Sequence, residues 1–490
     1  MTPKGPHKTL LPTVTRRTLL TGLGGLALAT PFLLRPRPAL AALTGRPFVQ
    51  PGLDSGRMEA GRRIFDLAVA GGRHEFLDGI ETETIGVNTG FLGPILTARA
   101  GDALRMNVAN GLAEPMTLHW HGLHLPAAAD GGPHQEIAPG ATWSPEFDLR
   151  QKAGTFWFHG HQHRRTAEHV WAGLAGVIRV SDDEEAALPL PRTHGEDDFT
   201  LVLQDRRFDA SGQMPYDANM HDRMAGMQGD VMLVNGLASP VLDTDAPRVR
   251  LRILNGANGS FYRLHFADTR AFYQIASDGG LLAAPVAMRE TVLSPGERGE
   301  YLVDLADGAA AQLRAEAFGA EAAMMGSAGI REVMTLRPKA ARAPAPALPE
   351  RLADLPPPPE ATGETRTFTL SMSGMGMMGD FLINGGQYDH GRINFSVPLG
   401  ATETWIWENT TPMIHPIHIH DVQFRIIDRG GRPPAPQEAG LKDTVLIGPG
   451  EKVALRMRFE DYSDAVHPYM YHCHILEHED AGMMGQFTVV

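Results

Sequence analysis

The segment HCHILEHEDAGMM, residues 472–484, decides the fold and the chemistry of this 490-residue chain. It contains Cys473, the only cysteine in the sequence, between two histidines. On an extended strand successive side chains point to opposite faces, so Cys473 faces one way while His472 and His474 face the other. The segment can therefore supply a thiolate to one metal and two imidazoles to a second site behind it. A lone cysteine is most often a small buried apolar residue, but the flanking histidines favour a metal site.

The same segment continues with His478 and Met483, which follow the cysteine by five and ten residues. A thiolate, two histidines and a weak axial methionine are the ligands of a blue-copper electron-transfer site. The second histidine must come from another part of the chain, and His415 is the candidate. The sequence therefore predicts one copper ion held by these four side chains.

Three further His-x-His pairs accompany the pair around the cysteine. Residues i and i+2 of a strand share one face, so each pair can present two imidazoles to one pocket. Eight imidazoles could hold three copper ions with open positions for dioxygen, because imidazole suits copper and copper is the tightest-binding common divalent metal. Structural zinc sites usually take four ligands, so eight histidines beside a blue-copper ligand set favour copper over zinc. The four pairs are His119/His121, His159/His161, His418/His420 and His472/His474.

Composition and charge limit the class of protein and of partner. A hydrophobic content of 43% with 21% charged residues is ordinary for a soluble globular protein, and 490 residues leave room for several domains. The net charge of −13 argues against nucleic acid and anionic membranes as partners. A single cysteine excludes an intramolecular disulfide framework.

Residues 1–42 have the pattern of a twin-arginine export signal. Two arginines (16–17) precede an apolar run rich in glycine and alanine, and Ala-Leu-Ala (39–41) gives a small-x-small cleavage pattern. The apolar run is too short and too interrupted for a comfortable membrane span. We expect a soluble periplasmic protein that begins near Ala42 and leaves the cytoplasm folded, through the twin-arginine export machinery. An uncleaved membrane anchor is the alternative.

Short strand-like segments separated by turns predict an all-β chain. Apolar and polar residues alternate on both sides of a Gly-Asp turn (96–110), which predicts a pair of strands in a first domain. An aromatic segment (156–159) and a closing segment (173–180) predict further strands of that domain. A Pro-Gly turn precedes a strand in each third of the chain, which supports three related domains. The predicted limits are residues 43–182 for domain 1, 183–340 for domain 2, 341–366 for a Pro-rich linker and 367–490 for domain 3.

Four stretches make the chain resemble the three-domain bacterial multicopper oxidases of the laccase superfamily, and most of all the cuprous oxidases of copper-resistance systems. The resemblance covers essentially the whole mature chain. It implies three consecutive cupredoxin-like Greek-key β-sandwich domains, with a type 1 copper in domain 3 and a trinuclear cluster shared with domain 1. It also implies a monomeric, oxygen-dependent oxidoreductase with four copper ions. The matching stretches are LHWHGLHLP (118–126), GTFWFHGHQH (154–163), HPIHIH (415–420) and HCHILEHEDAGMM (472–484).

Carried over residue by residue, the family pattern assigns ligands to each copper. Glu479 and Asp130 would carry protons to the cluster. A solvated charge in an acidic turn is the alternative for Glu479, and a turn-forming aspartate is the alternative for Asp130. The type 1 ligands would be His415, Cys473, His478 and Met483. The type 2 ligands would be His119 and His418. The type 3 ligands would be His121, His159, His161, His420, His472 and His474.

Methionine clusters favour Cu(I) as the substrate, because thioether sulfur is a soft ligand. Core packing is an equal alternative for the cluster in domain 2, whereas interleaved glycines argue against it for the cluster in domain 3. By the resemblance, Met413 matches a position that binds substrate copper, while Thr411 stands where relatives often carry an aspartate. The first cluster is Met214, Met220, Met224, Met227 and Met232, and the second is Met372, Met375, Met377 and Met378 with Asp380.

We therefore expect a multicopper oxidase that couples one-electron oxidation of Cu(I) to four-electron reduction of dioxygen to water, in periplasmic copper detoxification. A laccase-type oxidase of phenols and aromatic amines is the main alternative, because the chain has no long insert rich in methionine and histidine. A non-enzymatic periplasmic copper-binding protein would use the methionine clusters but would leave the eight histidines unexplained.

Overall fold

Three successive stretches of the chain each form two β-sheets that enclose an apolar core. A computed structural model describes residues 45–318, 329–374 and 379–490. The predicted export signal and the predicted substrate-copper residues Met375, Met377 and Met378 lie outside the described residues. The predicted all-β class is confirmed, and the three sandwiches belong to one compact unit. The strands of the first two sandwiches fall within the predicted domain limits, whereas the third sandwich begins with a strand at Thr365, two residues before its predicted limit; the limits themselves stay a prediction.

The first sandwich packs a sheet of order β1-β5-β11-β10-β7 against one of order β2-β3-β6-β8, with β4 beside β3 and β9 beside β6. Apolar residues alternate along its strands, so that Phe65 of one sheet and Phe156 of the other meet in one core. Its strands are β1 Leu53–Asp54, β2 Arg57–Glu59, β3 Arg62–Leu77, β4 Ile80–Val87, β5 Ile95–Arg99, β6 Ala103–Asn110, β7 Leu118–His121, β8 Thr142–Trp143, β9 Glu146–Asp148, β10 Gly154–Gly160 and β11 Ala175–Ser181.

The two strands predicted around the Gly-Asp turn exist, but they do not pair with each other as expected. Strand β5 pairs with β1 and β11, whereas β6 lies in the other sheet and runs parallel to β3. Leu96 and Leu104 reach the same core from opposite sheets. Alternation alone reports that one face of each strand is buried, and it does not report which strand lies alongside.

The second sandwich has sheets of order β14-β13-β12-β16-β21-β18-β19 and β15-β23-β22-β17-β20. Leu251 of the first sheet and Leu264 of the second pack in its core. Its strands are β12 Asp198–Arg206, β13 Val231–Val234, β14 Leu237–Ala238, β15 Val241–Thr244, β16 Arg248–Asn255, β17 Tyr262–Phe266, β18 Phe272–Ser277, β19 Gly280–Met288, β20 Glu290–Leu293, β21 Arg298–Asp304, β22 Ala311–Ala317 and β23 Ile330–Pro338.

The third sandwich has sheets of order β25-β24-β27-β31-β29 and β26-β33-β32-β28-β30. Its core contains Trp405 and Trp407 of one sheet and Cys473 of the other. Its strands are β24 Thr365–Met372, β25 Phe381–Ile383, β26 Phe395–Val397, β27 Thr402–Asn409, β28 His415–Ile419, β29 Arg425–Arg429, β30 Thr444–Ile447, β31 Lys452–Arg458, β32 Asp464–Cys473 and β33 Met484–Val489.

The α-helices in the described ranges are short and sit between strands. Helix α1 ends at Gly173, whose φ of 117° is open to glycine and not to most other residues. Asn219 and Asp222 form a capping box at the start of α3. No helix in these ranges combines the length and the apolarity that a bilayer crossing requires. The helices are α1 Thr166–Ala172, α2 Asp183–Ala186, α3 Met220–Ala225 and α4 Leu476–Asp480.

A buried histidine joins the first and third sandwiches. His124 Nδ1 lies 2.8 Å from Asp421 Oδ1, and His124 Nε2 lies 2.9 Å from Asp461 Oδ2. Tyr462 packs against the His124 ring, and Arg150 pairs with Asp461. Burial lowers the pKa of His124, but Asp421 and Asp461 outweigh it and raise this pKa to about 9. Burial raises the pKa of Asp421 to about 6.

This contact predicts a loss of stability at alkaline pH. A histidine whose folded-state pKa exceeds its ordinary value of 6.5 contributes stability that is complete below pH 6.5 and is lost as the pH rises through about 9. Asp421 is already ionised above about pH 6, so the free-energy cost of its buried charge does not change as the pH rises towards 9. Between pH 6.5 and 9.5 the free energy of unfolding should fall by up to about 3 kcal/mol more in the native chain than in His124→Gln. Thermal unfolding at several pH values measures this, and parallel curves for the two proteins would contradict it.

Candidate metal centre

Strand β32 directs adjacent side chains into two different pockets. It pairs with β28 so that Cys473 lies beside Ile417 and His472 lies beside His418. Cys473 Sγ is 3.5 Å from His415 Nδ1. On the other side of the strand, His472 Nε2 is 3.2 Å from His420 Nε2. The opposite orientation of the cysteine and its neighbouring histidine, expected from strand geometry, is present.

The Cys473 pocket brings together the side chains predicted for a type 1 copper. Cys473 Sγ is also 3.6 Å from His478 Nδ1, and the ligand atoms of His415, Cys473 and His478 all lie within 4.8 Å of one another. Ligands about 2.0–2.3 Å from a tetrahedral metal are separated by about 3.3–3.8 Å, so these spacings fit one metal ion. Met483 is fully buried beside them, and its carbonyl accepts a hydrogen bond from the Cys473 N–H at 3.0 Å.

Burial keeps the imidazoles of this pocket neutral. It lowers the pKa of His478 to about 4, and it lowers the pKa of His415 well below the ordinary range, with a further contribution from His478. Burial also raises the pKa of the Cys473 thiol. Neutral imidazoles bind metals, whereas the thiol must lose its proton, so metal binding here releases a proton.

The eight paired histidines converge in a second buried pocket between the first and third sandwiches. Strands β7 and β10 place His119 beside His159, and β28 and β32 place His418 beside His472. The rings stack across the boundary, with the His121 and His418 centroids 3.6 Å apart. Three sets of ligand atoms lie close enough for a shared ion: His119/His418/His420, His119/His121/His159 and His161/His420/His472.

Ring nitrogens without protein partners test whether this pocket fits copper. In most of these rings the other nitrogen is held: His119 Nδ1 bonds to the Asp130 carbonyl at 2.9 Å, and His418 Nδ1 bonds to the Asp443 carbonyl at 2.8 Å. Buried polar atoms are seldom left unpaired, so a cluster of them indicates a missing ligand. Imidazole nitrogens are preferred copper ligands, and the donor set therefore fits copper. Among the described residues, the unpaired nitrogens include His119 Nε2, His121 Nδ1, His159 Nε2 and His418 Nε2, and both ring nitrogens of His474.

The predicted proton carriers contact these histidines. His420 Nδ1 donates to Asp130 Oδ2 at 2.7 Å, and Glu479 lies 3.3 Å from His161 Nδ1 and 3.2 Å from His472 Nδ1. Glu479 is 1% exposed, so its alternative interpretation as a solvated charge is wrong. Burial raises the pKa of Glu479, but His161 and His472 outweigh burial and bring this pKa below its ordinary value. Asp130 also ends a 3-10 turn (Ala127–Ala129), so its turn role and its contact with a histidine coexist. Proton transfer by either residue stays a prediction.

Sequence reasoning missed a third carboxylate at the cluster. Asp443 Oδ1 lies 3.1 Å from His121 Nε2, and the Asp443 carbonyl holds His418. The guanidinium of Arg298, from the second sandwich, donates two hydrogen bonds to the Asp443 carboxylate, at 2.7 and 2.6 Å. All of these side chains are fully buried. In the sequence, Asp443 stands in a Lys-Asp-Thr tripeptide before an apolar strand. The tripeptide has no second ligand residue at a spacing typical of a metal site, so it did not indicate a role at the cluster.

The methionines of the first cluster do not form one site. Met214 and Met232 belong to two different apolar cores, as the packing alternative expected, and Met220 is 51% exposed. Only Met224 reaches the Cys473 pocket: it packs on the core of the third sandwich, and its carbonyl accepts a hydrogen bond from His478 Nε2 at 2.8 Å.

The remaining predicted substrate residues flank the Cys473 pocket. Hydrogen bonds join Asp380 to Ser373 between strands β24 and β25. The ring of the next residue, Phe381, stacks on the His478 ring with centroids 3.7 Å apart. Met413 is buried two residues before His415. Thr411 Oγ1 lies 2.8 Å from His415 Nε2, so a hydroxyl occupies the position where an aspartate was expected from the relatives.

Comparison with known proteins gives the multicopper oxidase family, together with relatives that are named for cell division. Two family models, both described as multicopper oxidase, match residues 68–185 and 356–490. Multicopper oxidase mco of Staphylococcus aureus is 32% identical over 441 residues, 89% of this chain and 91% of that protein. Cell division protein FtsP of Xenorhabdus nematophila is 35% identical over 442 residues, 88% of this chain and 89% of that protein. The structure of the laccase-like multicopper oxidase CueO of Ochrobactrum sp. matches with a TM-score of 0.83 at 35% identity, covering 91% of this chain and 100% of that chain. These likenesses confirm the predicted cupredoxin-like sandwiches.

Replacement of the cysteine tests the first pocket. Cys473→Ser removes the thiolate on which a blue-copper site depends, so the copper-loaded variant should lose the blue absorption band and all oxidase activity. Met484→Leu, at a buried methionine next to the predicted ligand, should keep both. Absorption spectra, copper content and circular dichroism measure the outcome. A Cys473→Ser protein that folds and stays blue would exclude the assignment.

Replacement of Asp443 tests the second pocket. Asp443→Asn weakens the support of His121 and leaves Arg298 with a neutral partner, so copper affinity of the histidine cluster should fall about 10–100-fold while the blue band persists. Asp278→Asn is the matched control, because Asp278 is an equally buried carboxylate of the same ionic network and contacts Arg298 and Lys442. Copper per chain and the electron paramagnetic resonance signal of type 2 copper report the result. Equal copper loss in both variants would mean that Asp443 acts only through the ionic network.

Proposed function

This chain belongs to the multicopper oxidase family, and we propose that it oxidises Cu(I) and passes the electrons to dioxygen, which is reduced to water. The observation that carries the proposal is the pair of buried donor sets on opposite sides of β32, one around Cys473 and one around eight histidines. The complete donor sets favour an oxidase over a non-enzymatic copper-binding protein, which would need no second pocket. They also favour an oxidase over a role like that of the relative named as a cell division protein.

Bound copper would supply one-electron transfer in the Cys473 pocket and dioxygen reduction in the histidine pocket. The chain supplies the connection, because Cys473 is joined by peptide bonds to His472 and His474. We propose that Glu479 and Asp130 hold protons at His161, His472 and His420, the imidazoles they contact. The proposed holders are His415, Cys473, His478 and Met483 for type 1, His119 and His418 for type 2, and His121, His159, His161, His420, His472 and His474 for type 3.

Cu(I) is the proposed substrate because both histidines of the first pocket are inaccessible to a large aromatic molecule. His415 and His478 are fully buried, and Phe381 occupies one face of the His478 ring. Their outer nitrogens bond to Thr411 and to the Met224 carbonyl, so an electron donor can approach only through these neighbours. A thioether and a carboxylate near them, from Met413 and Asp380, suit a copper ion more than a phenol, and the sequence offers Met375, Met377 and Met378 as further sulfur donors.

A laccase-type oxidase of phenols is the second candidate. The observation in its favour is the likeness to the Ochrobactrum enzyme, which is described as having oxidase activity towards lignin model compounds and lignosulfonate. For the cellular setting we propose export through the twin-arginine route and copper detoxification in the periplasm, on the basis of the arginine pair at 16–17.

Oxygen consumption by the copper-loaded protein separates the two candidates. Cu(I) should be turned over rapidly, and a phenol should be oxidised rapidly only when Cu(II) is added. Rapid phenol oxidation without added copper, together with slow Cu(I) turnover, would establish the laccase-type alternative. Absence of oxygen consumption with either substrate in a fully loaded blue protein would exclude both.

Methionine replacement tests the substrate site. The triple variant Met375→Leu, Met377→Leu and Met378→Leu keeps apolar volume but removes the soft sulfur, so kcat/KM for Cu(I) should fall about tenfold or more, as the loss of one weak ligand would give. Phenol oxidation without added copper should change less than twofold, about the limit of what an unrelated surface change causes. Met232→Leu, in the core of the second sandwich, is the control and should change neither. An equal loss for both substrates would indicate a structural role for the methionines.

A further inference from the structure

A cavity of about 410 Å³ lies where the three sandwiches and the Pro-rich segment meet. The first sandwich contributes Arg150 and Lys152 to its wall, and the second contributes Gly279. The wall of the third sandwich carries Arg425, Arg456 and Arg458, and Pro359 of the Pro-rich segment completes it. Five cationic side chains therefore surround one cavity in a chain of net charge −13. Two carboxylates, Glu460 and Asp461, are the acidic groups among its lining residues.

The strand register forces two of these arginines together. Arg425 of β29 and Arg456 of β31 are direct partners in the antiparallel ladder, so their side chains stand on the same face. Their neighbours Ile426 and Leu455, also partners, point the other way into the core. Like charges directly opposite each other on adjacent strands destabilise a sheet unless something neutralises them.

No carboxylate neutralises this pair within the described ranges. Arg425 Nη1 donates to the Pro356 carbonyl at 3.2 Å, while Arg456 donates to the Pro359 carbonyl at 2.5 Å and to Thr404 Oγ1 at 2.9 Å. These acceptors are neutral. Partial burial lowers the pKa of Arg425, and no carboxylate opposes the effect.

The other cations of the cavity differ in this respect. Arg150 pairs with Asp461 at 2.6 Å, Lys152 pairs with Glu184 at 3.0 Å, and Arg458 pairs with Glu460 at 2.8 Å. Among the arginines and lysines that line the cavity, the charge without a carboxylate partner is thus confined to Arg425 and Arg456.

We propose that this cavity binds a small phosphate-type oxyanion between Arg425 and Arg456. The planar guanidinium fork matches phosphate oxygens, and hydrogen bonds between charged partners are about twice as strong as neutral ones. The volume of about 410 Å³ lies at the lower end of the range for small-molecule pockets, so the ligand is a small molecule and not a polymer. Free phosphate and a small phosphomonoester share the required chemistry.

The location gives the ligand a structural consequence. The cavity that would hold it is lined by all three sandwiches and by the Pro-rich segment, whose carbonyls the same arginines hold. A ligand that binds only the assembled form stabilises that form by an amount that grows with the logarithm of its concentration above its Kd. None of the lining residues is among the proposed copper ligands, so the proposal does not depend on the proposed function.

Calorimetric titration of the copper-loaded full chain with inorganic phosphate, at fixed chloride concentration, tests the proposal. We expect saturable binding of one phosphate per chain and a thermal midpoint that rises with the logarithm of the phosphate concentration above Kd. The double variant Arg425→Gln and Arg456→Gln should bind at least about tenfold more weakly, because charge-assisted hydrogen bonds are lost. Arg432→Gln, at an exposed arginine of the same sandwich outside the cavity wall, should bind like the native chain.

Stability without phosphate distinguishes binding from a merely structural role. Since the like-charge pair is unfavourable when the cavity is empty, Arg425→Gln alone should unfold at the same temperature as the native chain or higher, yet bind phosphate more weakly. Glycerol phosphate replaces phosphate in a parallel titration: tighter binding would identify a phosphomonoester as the ligand, and weaker binding would identify free phosphate. Absence of saturable binding in the native chain, or equal affinity in the native chain and in Arg425→Gln, would overturn the proposal.

Discussion

The alternation of side chains along β32 is the constraint on which the arrangement of this molecule depends. Because Cys473 and His472 are neighbours on a strand, the thiolate must enter the core of the third sandwich while the imidazole leaves it. The first pocket can then be built within one sandwich, from Cys473 and two further histidines. The second pocket cannot, because the third sandwich contributes two histidine pairs and the first sandwich must dock with the other two.

Hydrogen bonds that orient the imidazoles also hold these two sandwiches together. Asp130 of the first sandwich accepts from His420 of the third, and Glu479 of the third lies against His161 of the first. The two carboxylates cross the boundary in opposite directions, so each half of the histidine pocket orients one imidazole of the other half, His420 or His161. Metal affinity and docking of the sandwiches are therefore coupled through the same contacts.

The sequence predicted those parts of the structure that depend on residues close together in the chain. The spacing of His119 and His121, or of Cys473 and His478, reports on a single strand or turn, and strand geometry converts it into a common pocket. Pairing of β5 and β6 with strands from elsewhere was not predictable, since alternation reports burial and not the neighbour. Asp443 and the Arg425/Arg456 pair were missed for the same reason, as their partners lie more than a hundred residues away or on another strand.

Among the described residues, the second sandwich provides none of the proposed copper ligands, yet its Arg298 stabilises the histidine cluster. Arg298 extends from β21 to the cluster and donates hydrogen bonds to the Asp443 carboxylate, which in turn contacts His121. A buried carboxylate without a cation would be costly, and so would a buried guanidinium without an anion. Each therefore requires the other, and the second sandwich must stay docked for Asp443 to keep its guanidinium partner beside the histidines. A middle sandwich without ligands thus contributes the charge that fixes the orientation of a histidine on the first sandwich.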